Sequence, residues 1–434
     1  MKEDKKVNFI GLGKLGLPAA LFFASKNFNI SGFDTNKDLF YKLKKNNFNI
    51  KENKSYKYLK YKNKIKFYND PQLSLNNSNV SIITVPTPSN RDGSFSNKYI
   101  LSALNEIGFY IKRLKNTKDP YLITINSTVS PDSFRNIFIP FMKKKFQLFI
   151  NKDFYFCYNP YFVALGNAFD VFENPDFLLL GCSSTGAKNK ILQIYNKIYK
   201  NKKLYCFMSL EESELVKLLV NSFITTKISY TNFISNLCRK SDITSPKNIL
   251  ATMALDKRIG KYAFKMGGPF DGPCFPRDNQ ALINYCKTNK LYSHLLEATI
   301  KVNKDRISEI KSSIKIFKKN NVKRIGFLGV GYKSNTSCLE GGNSLNLIKY
   351  FIKKNFKIYY YDTYVDSLRL SRAVRCNSLT ELSKNVDLIY ISYVDPKFKG
   401  ILKVKKKLRI WDIWGFLKSS NNKKISNNLS DLIK

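Results

Sequence analysis

Histidine is almost absent from this chain, because the only one among its 434 residues is His294. A Ser-His-Asp triad and a multi-histidine metal site both need this side chain, so neither is expected. His294 adjoins Leu295 and Leu296 in a helical pattern, which predicts a residue on a helix face rather than a ligand. The eight cysteines have no C-x-x-C pair and no metal-ligand spacing, which predicts a reducing cytosol and no metal.

Long apolar runs are absent as well. No run approaches the ~18 residues that a membrane-spanning helix needs, so no membrane partner is expected. The start, Met1 to Lys6, is charged and lacks an apolar segment before a cleavage site, which predicts no secretory signal and a cytoplasmic protein. The length of 434 residues and the hydrophobic fraction of 43% predict two or three globular domains.

Acidic residues are scarce: 32 Asp and Glu stand against 74 Lys and Arg, and the formal net charge is +42. Such a balance suggests a nucleic acid or another polyanion as partner. The charge is nearly all lysine, however, and it is spread over the whole length without a basic stripe interleaved with aromatics. We therefore expect a solvated surface and no nucleic-acid partner, with polyanion binding only at low salt. A polyanion-binding protein stays an alternative that rests on charge alone.

The first motif is a glycine turn after an apolar strand. The strand Val7–Ile10 runs into Gly11-Leu12-Gly13-Lys14-Leu15-Gly16 and then into the helical pattern Leu17–Ala24, while a second strand, Asn29–Phe33, ends at Asp34. The glycines allow a tight turn and a close approach of the backbone to a pyrophosphate, and the helix N-terminus favours its charge. An acidic residue at this place accepts from the ribose hydroxyls and repels the phosphate of NADP. The sequence therefore predicts NAD.

The second motif places one cysteine behind a Gly/Pro-rich loop. Gly267-Gly268-Pro269-Phe270-Asp271-Gly272-Pro273 leads into Cys274, and Asp278 follows one helical turn later. A thiol suits the oxidation of an aldehyde, because it adds to the carbonyl, gives up hydride and becomes a thioester that water cleaves. Asp278 would then lie near that water. The alternative for such a cysteine is an inert buried thiol.

The chain changes character twice along its length. We expect an NAD-binding Rossmann domain at 1–205, a central helical domain at 206–319 with the cysteine loop, and a smaller Rossmann-like domain at 320–434. In the smaller domain a strand again runs into glycines, at Arg324-Ile325-Gly326-Phe327-Leu328-Gly329-Val330-Gly331-Tyr332-Lys333, and this turn lacks a third glycine, which favours a mononucleotide there. The fold class predicted is α/β, with two Rossmann-like doubly wound domains joined by a long central helix and a helical middle region. The core strands predicted are Val7–Ile10, Asn29–Phe33, Val80–Val85, Tyr121–Asn126, Phe154–Tyr158, Phe177–Leu180, Ile358–Tyr361, Leu388–Ser392 and Leu408–Ile413.

The helical patterns carry their own signals. Glu211 to Lys240 reads as one helix, with Ser209 as its cap and Glu212 three residues on. Further helices are predicted at 246–254 and, as one stretch, at about 291–317. Lys217 and Asn221 are one turn apart in the long helix and point to the same face.

Further segments complete a pattern that resembles the UDP-glucose/GDP-mannose dehydrogenase family over nearly the whole chain, in the family's order. They are Val85-Pro86-Thr87-Pro88, Ser127-Thr128-Val129, Asn159-Pro160 with Phe162, the K-x-x-x-N pair Lys217 and Asn221, Asp256-Lys257-Arg258-Ile259-Gly260, Cys274-Phe275-Pro276-Arg277-Asp278, and Lys333 after Tyr332.

The resemblance implies a four-electron oxidation of a UDP-sugar at C6 with NAD. Cys274 would trap the aldehyde, Lys217 would stabilise the oxyanion with a hydrogen bond from Asn221, and Asp278 and Thr128 would hold the water. The cofactor residues that it implies are Gly11, Gly13, Lys14, Leu15, Gly16, Asp34, Pro86, Thr87, Ser127 and Thr128. The substrate residues are Phe162, Lys217, Asn221, Gly268, Phe275, Lys333 and Arg258, the last in the family from a neighbouring subunit of a homodimer or higher homo-oligomer.

The substrate expected is UDP-glucose, giving UDP-glucuronate for surface polysaccharide. Within the class, the alternatives are another UDP-hexose or a UDP-N-acetylhexosamine. From a different class, the chain could be a catalytically impaired nucleotide-sugar-binding protein.

The sequence departs from the family pattern in three segments. Tyr161 and Leu165 stand where the family has glutamates, and a phenol is a poor base near neutral pH. Glu340 stands where the family has an arginine that reaches NAD, and Asn232-Phe233 replaces Asn-Glu. Asp170 and Glu173 are nearby in the sequence, but nothing in the sequence shows that they substitute for the missing glutamates.

Four of these residues could have a purely structural role instead of a role in the site. In each case local structure alone would explain the side chain. They are a Lys217 that extends to the surface, an Asp278 that caps the following helix, an Arg258 paired with Asp256, and a Thr128 that only turns the chain before Pro131.

Overall fold

The chain forms two compact units, 1–219 and 220–434, in its computed structural model. The structure describes residues 6–45, 47–48, 50, 52–114, 119–200, 204–241, 246–264, 266–404, 407–417, 423–426 and 429. Most of the charged start, residues 1–5, lies outside the described residues. The predicted boundaries at 205 and 319 stay predictions. Among the described residues, no helix is long and apolar enough to cross a membrane.

The first unit is built on one sheet of eight described strands in the order β3-β2-β1-β4-β5-β6-β7-β8. Because the order reverses between β1 and β4, their carboxyl ends flank the crevice where α/β sheets bind ligands. The strands are β1 (Lys6–Ile10), β2 (Asn29–Phe33), β3 (Ile65–Tyr68), β4 (Val80–Ile83), β5 (Tyr121–Ile125), β6 (Phe154–Tyr158), β7 (Leu178–Cys182) and β8 (Tyr205–Met208).

The strands pair in parallel except at one junction. Strand β7 runs antiparallel to β6, with Cys157 opposite Cys182 and Tyr158 opposite Gly181. The prediction of a parallel doubly wound sheet is therefore confirmed for β3 to β6, while β7 and β8 form a reversed extension. Helices cover both faces of the sheet. They are α1 (Gly16–Ser25), α2 (Lys37–Lys44), α3 (Ser55–Leu59), α4 (Pro71–Leu75), α5 (Lys98–Arg113), α6 (Ile139–Phe146), α7 (Ala168–Glu173) and α8 (Thr185–Ile198).

A single long helix, α9 (Leu210–Lys240), crosses the boundary between the units. It begins with the predicted capping box: the backbone N–H of Glu212 donates to Ser209 Oγ over 3.2 Å, and the Glu212 carboxylate accepts from the Ser209 N–H over 2.8 Å. These reciprocal bonds satisfy N–H groups that a helix start leaves open, which fixes where α9 begins.

The second unit repeats the strand order of the first on a smaller scale. Its described strands are all parallel, in the order β11-β10-β9-β12-β13-β14. They are β9 (Arg324–Leu328), β10 (Lys357–Tyr361), β11 (Ala373–Arg375), β12 (Leu388–Ile391), β13 (Leu408–Trp411) and β14 (Lys423–Ser426). Two Rossmann-like sheets and a long central helix confirm the predicted fold class.

The helices of the second unit differ from the prediction at one point. The stretch predicted as one helix at 291–317 forms two helices, α12 (His294–Ser312) and α13 (Ile314–Lys319), which meet at Ser313. The Ser313 N–H donates to the carbonyl three residues back rather than four, which tightens the turn and ends α12. The helices are α10 (Pro246–Met253), α11 (Phe275–Thr288), α12 (His294–Ser312), α13 (Ile314–Lys319), α14 (Asn343–Lys353) and α15 (Leu379–Asn385).

Candidate active site

The glycine turn of the first unit links the end of β1 to the start of α1. Gly11 has φ +93°, and a Cβ there would lie 2.2 Å from the carbonyl oxygen of Thr84. A Cβ on Gly16 would lie 1.9 Å from the carbonyl oxygen of Gly11. A Cβ on Gly13, by contrast, would meet nothing within 4 Å. The first and third glycines are therefore needed for packing, while the second leaves open space for a ligand.

Asp34 lies at the end of β2 beside this turn. Its carboxylate accepts from the Leu12 N–H over 2.8 Å and from the Asn36 N–H over 2.8 Å. These bonds fix the carboxylate against the turn and leave its remaining lone pairs for a ribose hydroxyl. The open backbone at Gly13 and the acid at the end of β2 fit a dinucleotide.

The ends of β4 and β5 lie next to the turn in the sheet. Ser127 donates its hydroxyl to the Val85 carbonyl over 2.7 Å and accepts from the Val85 N–H over 2.9 Å, which ties the two strand ends together. Thr87 is buried and Pro86 is exposed, while Thr128 is half-buried. The structure thus brings these predicted cofactor residues to the edge of the sheet that carries the glycine turn. Lys14 is exposed and Leu15 half-buried at the start of α1.

Lys217 is buried on α9 rather than extended to the surface. Its side chain is 6% exposed, its ammonium donates to the Tyr161 carbonyl over 2.9 Å, and it lies 4.5 Å from the centre of the Phe162 ring. A buried ammonium is costly without partners, and here a carbonyl and an aromatic face supply them. The surface alternative for Lys217 is therefore wrong.

The acids near Tyr161 are engaged elsewhere. Lys54 pairs with Asp170 over 2.5 Å and with Glu173 over 2.8 Å, and Tyr58 donates to Glu173 over 2.5 Å. The hydrogen bond from Lys54 holds the pKa of Glu173 below its usual value. Burial raises the pKa of the Tyr161 phenol, so it is not a base. In the structure, neither acid replaces the missing glutamate.

Glu214 was not predicted and lies one turn before Lys217. Its carboxyl group is fully buried and accepts from the Asp132 N–H over 2.7 Å and from the Phe134 N–H over 3.0 Å. It thereby fixes the loop that follows Thr128 against α9. Burial outweighs these two bonds and raises the pKa of Glu214 to about 8.

In the second unit, Cys274 is exposed at the N-cap of α11. Behind it, Asp278 is 1% exposed, and its carboxylate accepts from the Asn221 amide over 2.5 Å. The helix begins at Phe275, so Asp278 lies inside its first turn and is not the N-cap of the alternative interpretation. The Asp278 N–H donates to the Cys274 carbonyl over 2.9 Å, so the exposed thiol and the buried carboxylate belong to residues one helical turn apart.

The loop before Cys274 passes close to two aromatic side chains. A Cβ on Gly268 would lie 3.0 Å from the Trp414 ring, and one on Gly272 would lie 2.7 Å from the Tyr332 ring. Lys333, next to Tyr332, is half-buried, and its ammonium lies 5.9 Å from the centre of the Tyr332 ring. The predicted substrate residues Gly268, Phe275 and Lys333 therefore all belong to the second unit.

The second glycine turn differs from the first in its acid. Asp362 follows β10 as Asp34 follows β2, and Gly329 has φ +88°. The Asp362 carboxylate, however, accepts from the N–H groups of Val330 and Val365 and from the Tyr393 hydroxyl. These internal donors leave it poorly placed for a ribose, which agrees with the absence of a third glycine in this turn.

Arg258 lies on the surface. Its side chain is 89% exposed and forms a forked ion pair with Asp256, with its closest contact at 2.6 Å. Within one chain, Arg258 therefore has the purely structural role that was the alternative for it, a surface ion pair with Asp256. Its role in another subunit stays a prediction. In the described part of the chain, no group of three or more possible metal ligands occurs.

Comparison with known proteins agrees with this geometry. Residues 5–201 match the NAD binding domain, and residues 211–305 the central domain, of the UDP-glucose/GDP-mannose dehydrogenase family. The UDP-glucose 6-dehydrogenase of Rickettsia bellii is 32% identical over 363 residues, which cover 82% of this chain and 80% of that one.

Solved structures have the same fold. A UDP-glucose dehydrogenase from Pyrobaculum islandicum superposes with a TM-score of 0.86 at 22% identity, covering 97% of this chain and 96% of that one. The UDP-N-acetyl-mannosamine dehydrogenase Cap5O from Staphylococcus aureus gives 0.81 at 20% identity, covering 99% and 100%. The fold and the site define an NAD-dependent nucleotide-sugar dehydrogenase. The chain belongs to the UDP-glucose/GDP-mannose dehydrogenase family.

The glycine turn allows a matched pair of substitutions. We expect Gly13→Ala to keep the thermal midpoint of unfolding and to weaken NAD binding at least tenfold, because the methyl group occupies only the ligand's space. Gly16→Ala should lower the thermal midpoint of unfolding and also weaken NAD binding, because its methyl group would clash with the Gly11 carbonyl. Calorimetric titration with NAD and thermal unfolding check this, and a Gly16→Ala protein as stable as the parent would contradict it.

The raised pKa of Glu214 predicts a pH effect on stability. The pKa of the carboxyl group is near its usual value of 4.5 in the unfolded chain and about 8 in the folded protein, so between these pH values the folded state binds an extra proton. This contribution to stability is therefore lost as pH rises from about 4.5 to about 8. Glu214→Gln cannot titrate and should lack it. The gap between the thermal midpoints of parent and variant should shrink over this range, and a gap equal at every pH would contradict the interpretation.

Proposed function

We propose that this protein oxidises C6 of UDP-glucose to a carboxylate in two NAD-dependent steps, giving UDP-glucuronate. The observation that carries the proposal is the exposed thiol of Cys274 in front of the buried Asn221–Asp278 pair. The relative in Rickettsia bellii carries the name UDP-glucose 6-dehydrogenase, which favours this sugar. A UDP-N-acetylhexosamine is the second candidate, because a structural neighbour acts on UDP-N-acetyl-mannosamine by its name.

The nucleotide sites divide between the units. NAD, when bound to the glycine turn of the first unit, supplies the acceptor for one hydride at each oxidation stage. The open space at Gly13 would accommodate the pyrophosphate, and the Asp34 carboxylate would accept a hydrogen bond from a ribose hydroxyl. Lys333 and the backbone of the loop at Gly268 would bind the UDP-sugar. Phe275 of the second unit and Phe162 of the first are proposed as substrate residues on the family pattern alone.

Cys274 would act between the two oxidations. Its position at the N-cap of a 14-residue helix favours the thiolate, because the helix dipole is positive there. The thiolate would add to the C6 aldehyde and form a C–S bond, and the resulting oxyanion would take a proton to give a thiohemiacetal. Oxidation to the thioester removes the hydroxyl proton, which passes to solvent, and the hydride on that carbon, which passes to the nicotinamide acceptor. Water would then add to the thioester and break the C–S bond, which releases the carboxylate and returns a proton to the thiol.

Lys217 and Asn221 would stabilise the oxyanion that forms at C6. Lys217 is buried, and in such a place its positive charge and its hydrogen bonds stabilise a developing oxyanion more strongly than they would in water. They are one turn apart on α9, so they present donors to the same side. Asp278 would accept the proton of the attacking water, with Thr128 holding that water. Since Tyr161 offers no carboxylate, hydrolysis of the thioester is the step we expect to be slow.

We also propose that two copies associate through α9. Large apolar side chains recur on its exposed side at Leu219, Phe223, Tyr230, Phe233 and Leu237, with Phe223 66% exposed. The spacings of four, seven, three and four residues place them on one seam, as in a coiled coil. A patch of this kind on a surface marks an interface.

Arg258 would reach the partner's site in such a dimer. It lies between Leu255 and Tyr262, which are 69% and 73% exposed. An exposed arginine flanked by exposed apolar side chains fits an arm that a second subunit covers.

The compartment proposed is the cytoplasm. None of the eight cysteines, all within the described residues, forms a disulfide, which suits a reducing environment. The uronate would then be available as a precursor for surface polysaccharide.

The proposed reaction predicts two NADH for each UDP-glucose consumed, with UDP-glucuronate as the product by mass spectrometry. The measurement uses purified protein with excess NAD, and UDP-N-acetylglucosamine and UDP-N-acetylmannosamine serve as competing substrates. Two NADH with an N-acetylated sugar and none with UDP-glucose would overturn the choice of sugar. Binding of UDP-sugars without any NADH would favour the impaired binding protein.

The dimer predicts that Phe223→Glu with Tyr230→Glu gives monomers in sedimentation velocity, because two carboxylates then face their copies on the seam. Leu295→Glu, which changes a 68% exposed leucine on α12, is the matched control and should leave the dimer intact. A double variant that sediments like the parent protein would contradict this interface.

Shared sites predict complementation. Arg258→Ala and Cys274→Ala should each be inactive, while mixed subunits should recover roughly a quarter of parental activity, since half of the dimers then hold one intact site. No recovery after mixing two inactive variants would place Arg258 in its own subunit's site, and an active Arg258→Ala protein would place it in none.

A further inference from the structure

The loop before Cys274 is held on one side by polar side chains of α9 and α12. Asn303 accepts from the Phe270 N–H over 2.7 Å and donates to the Phe270 carbonyl over 3.0 Å. Arg306 donates to the Gly267 carbonyl over 3.2 Å, and Asn232 donates to the Gly268 carbonyl over 3.0 Å. These bonds fix the first part of the loop but stop before the residues next to the cysteine.

The last part of the loop is held by the start of α14. The Asp271 carboxylate accepts from the Asn343 N–H over 2.8 Å, and the Gly272 N–H donates to the Gly341 carbonyl over 3.1 Å. The approach is close, because a Cβ on Gly341 would lie 2.4 Å from the Gly272 carbonyl oxygen. Asp271 is thus the only side chain we find among the described loop residues that bonds to the start of α14.

The same segment closes the turn that carries Lys333. The Tyr332 N–H donates to the Cys338 carbonyl over 3.2 Å, and Ser344 in α14 donates to the Gly331 carbonyl over 3.4 Å. The Tyr332 ring packs on Gly272, two residues before the cysteine. The cysteine loop is bonded to residues 341 and 343 and the lysine turn to residues 338 and 344, so both are anchored on the segment 338–344.

We propose that Asp271 is a positioning residue that locks the Cys274 loop to the start of α14, and through it to the turn that bears Lys333. The proposal rests on the function proposed above, and it adds a residue that the cysteine chemistry alone does not name. A carboxylate at the N-terminus of a helix of 11 residues bonds both to its N–H group and to the dipole, so it holds the loop more firmly than a neutral cap.

Two opposing effects act on the pKa of the Asp271 carboxyl group. Burial raises this pKa to about 7, and the hydrogen bond from the Asn343 N–H works against the rise because it favours the charged form. Tyr390 of β12 is a titratable group that interacts with Asp271, and Arg306 of α12 is a charged group that interacts with Tyr390. The carboxylate is thus present above about pH 7, and the lock weakens as pH falls through this value.

The test compares Asp271→Ala and Asp271→Asn with Asp387→Ala. Asp387 is the matched control, because its carboxylate also accepts backbone N–H groups in this unit, those of Lys323 and Arg324, at the other end of β9. We expect Asp271→Ala to lower kcat for UDP-glucose at least tenfold with a change in KM below about threefold, because a displaced nucleophile costs rate rather than binding. Asp271→Asn keeps an acceptor oxygen and should therefore retain most of the parental kcat. Because it cannot titrate, its kcat should not show the decrease below pH 7 that we expect for the parent.

A second readout needs no turnover. The rate of Cys274 alkylation by iodoacetamide, followed on its peptide by mass spectrometry, should respond to added UDP in the parent and in Asp387→Ala. The response should be absent in Asp271→Ala. An Asp271→Ala protein with parental kcat, or one whose alkylation still responds to UDP, would overturn the lock.

The two proposals fail separately. If the parent gives no NADH with any UDP-sugar while UDP changes Cys274 alkylation only when Asp271 is present, the lock stands and the proposed function does not. If the parent turns over UDP-glucose and Asp271→Ala does so equally well, the function stands and the lock does not.

Discussion

The bond between the Asn221 amide and the buried Asp278 carboxylate is the constraint on which the candidate site depends. It ties the first turn of α11 to α9 and thereby sets the place of Cys274 at the N-cap. The same helix α9 carries Lys217 one turn before Asn221, and Lys217 is held in turn by the Tyr161 carbonyl. Burying a carboxylate is costly, and the amide repays part of that cost.

The two glycine turns show how one local fold serves different purposes. In both, a glycine with positive φ follows the first strand and an aspartate follows the second. Asp34 accepts from the turn and from Asn36, while Asp362 is also bonded by a tyrosine hydroxyl and the N–H of Val365. The first acid therefore keeps capacity for a ligand, and the second mainly holds its own turn together.

Much of the fold could be predicted because buried strands and capped helices have local signals. The strands missed were β3, β8, β11 and β14, and these are the outermost strands of the two sheets. Edge strands are short and partly exposed, so they lack the apolar run that marks a central strand. The reversed direction of β7 was also missed, because strand direction is decided by packing rather than by residue pattern.

The site was predictable where spacing along one element decides it, as for Lys217 with Asn221 and Cys274 with Asp278. It was not predictable where contacts join distant segments. Glu214 and Asp271 gave no signal, because their partners lie 80 and 72 residues away along the chain. The engagement of Asp170 and Glu173 by Lys54 depends on the same kind of long-range contact.

The role of Cys274 is tested most directly by the mass of the Cys274 peptide after acid quench of a reaction with NAD and UDP-glucose. We predict an adduct on Cys274 with the mass of the thioester-linked nucleotide sugar, which base then releases as UDP-glucuronate. It should accumulate because Tyr161 supplies no carboxylate for hydrolysis. An unmodified Cys274 peptide throughout a reaction that yields uronate would contradict the central claim.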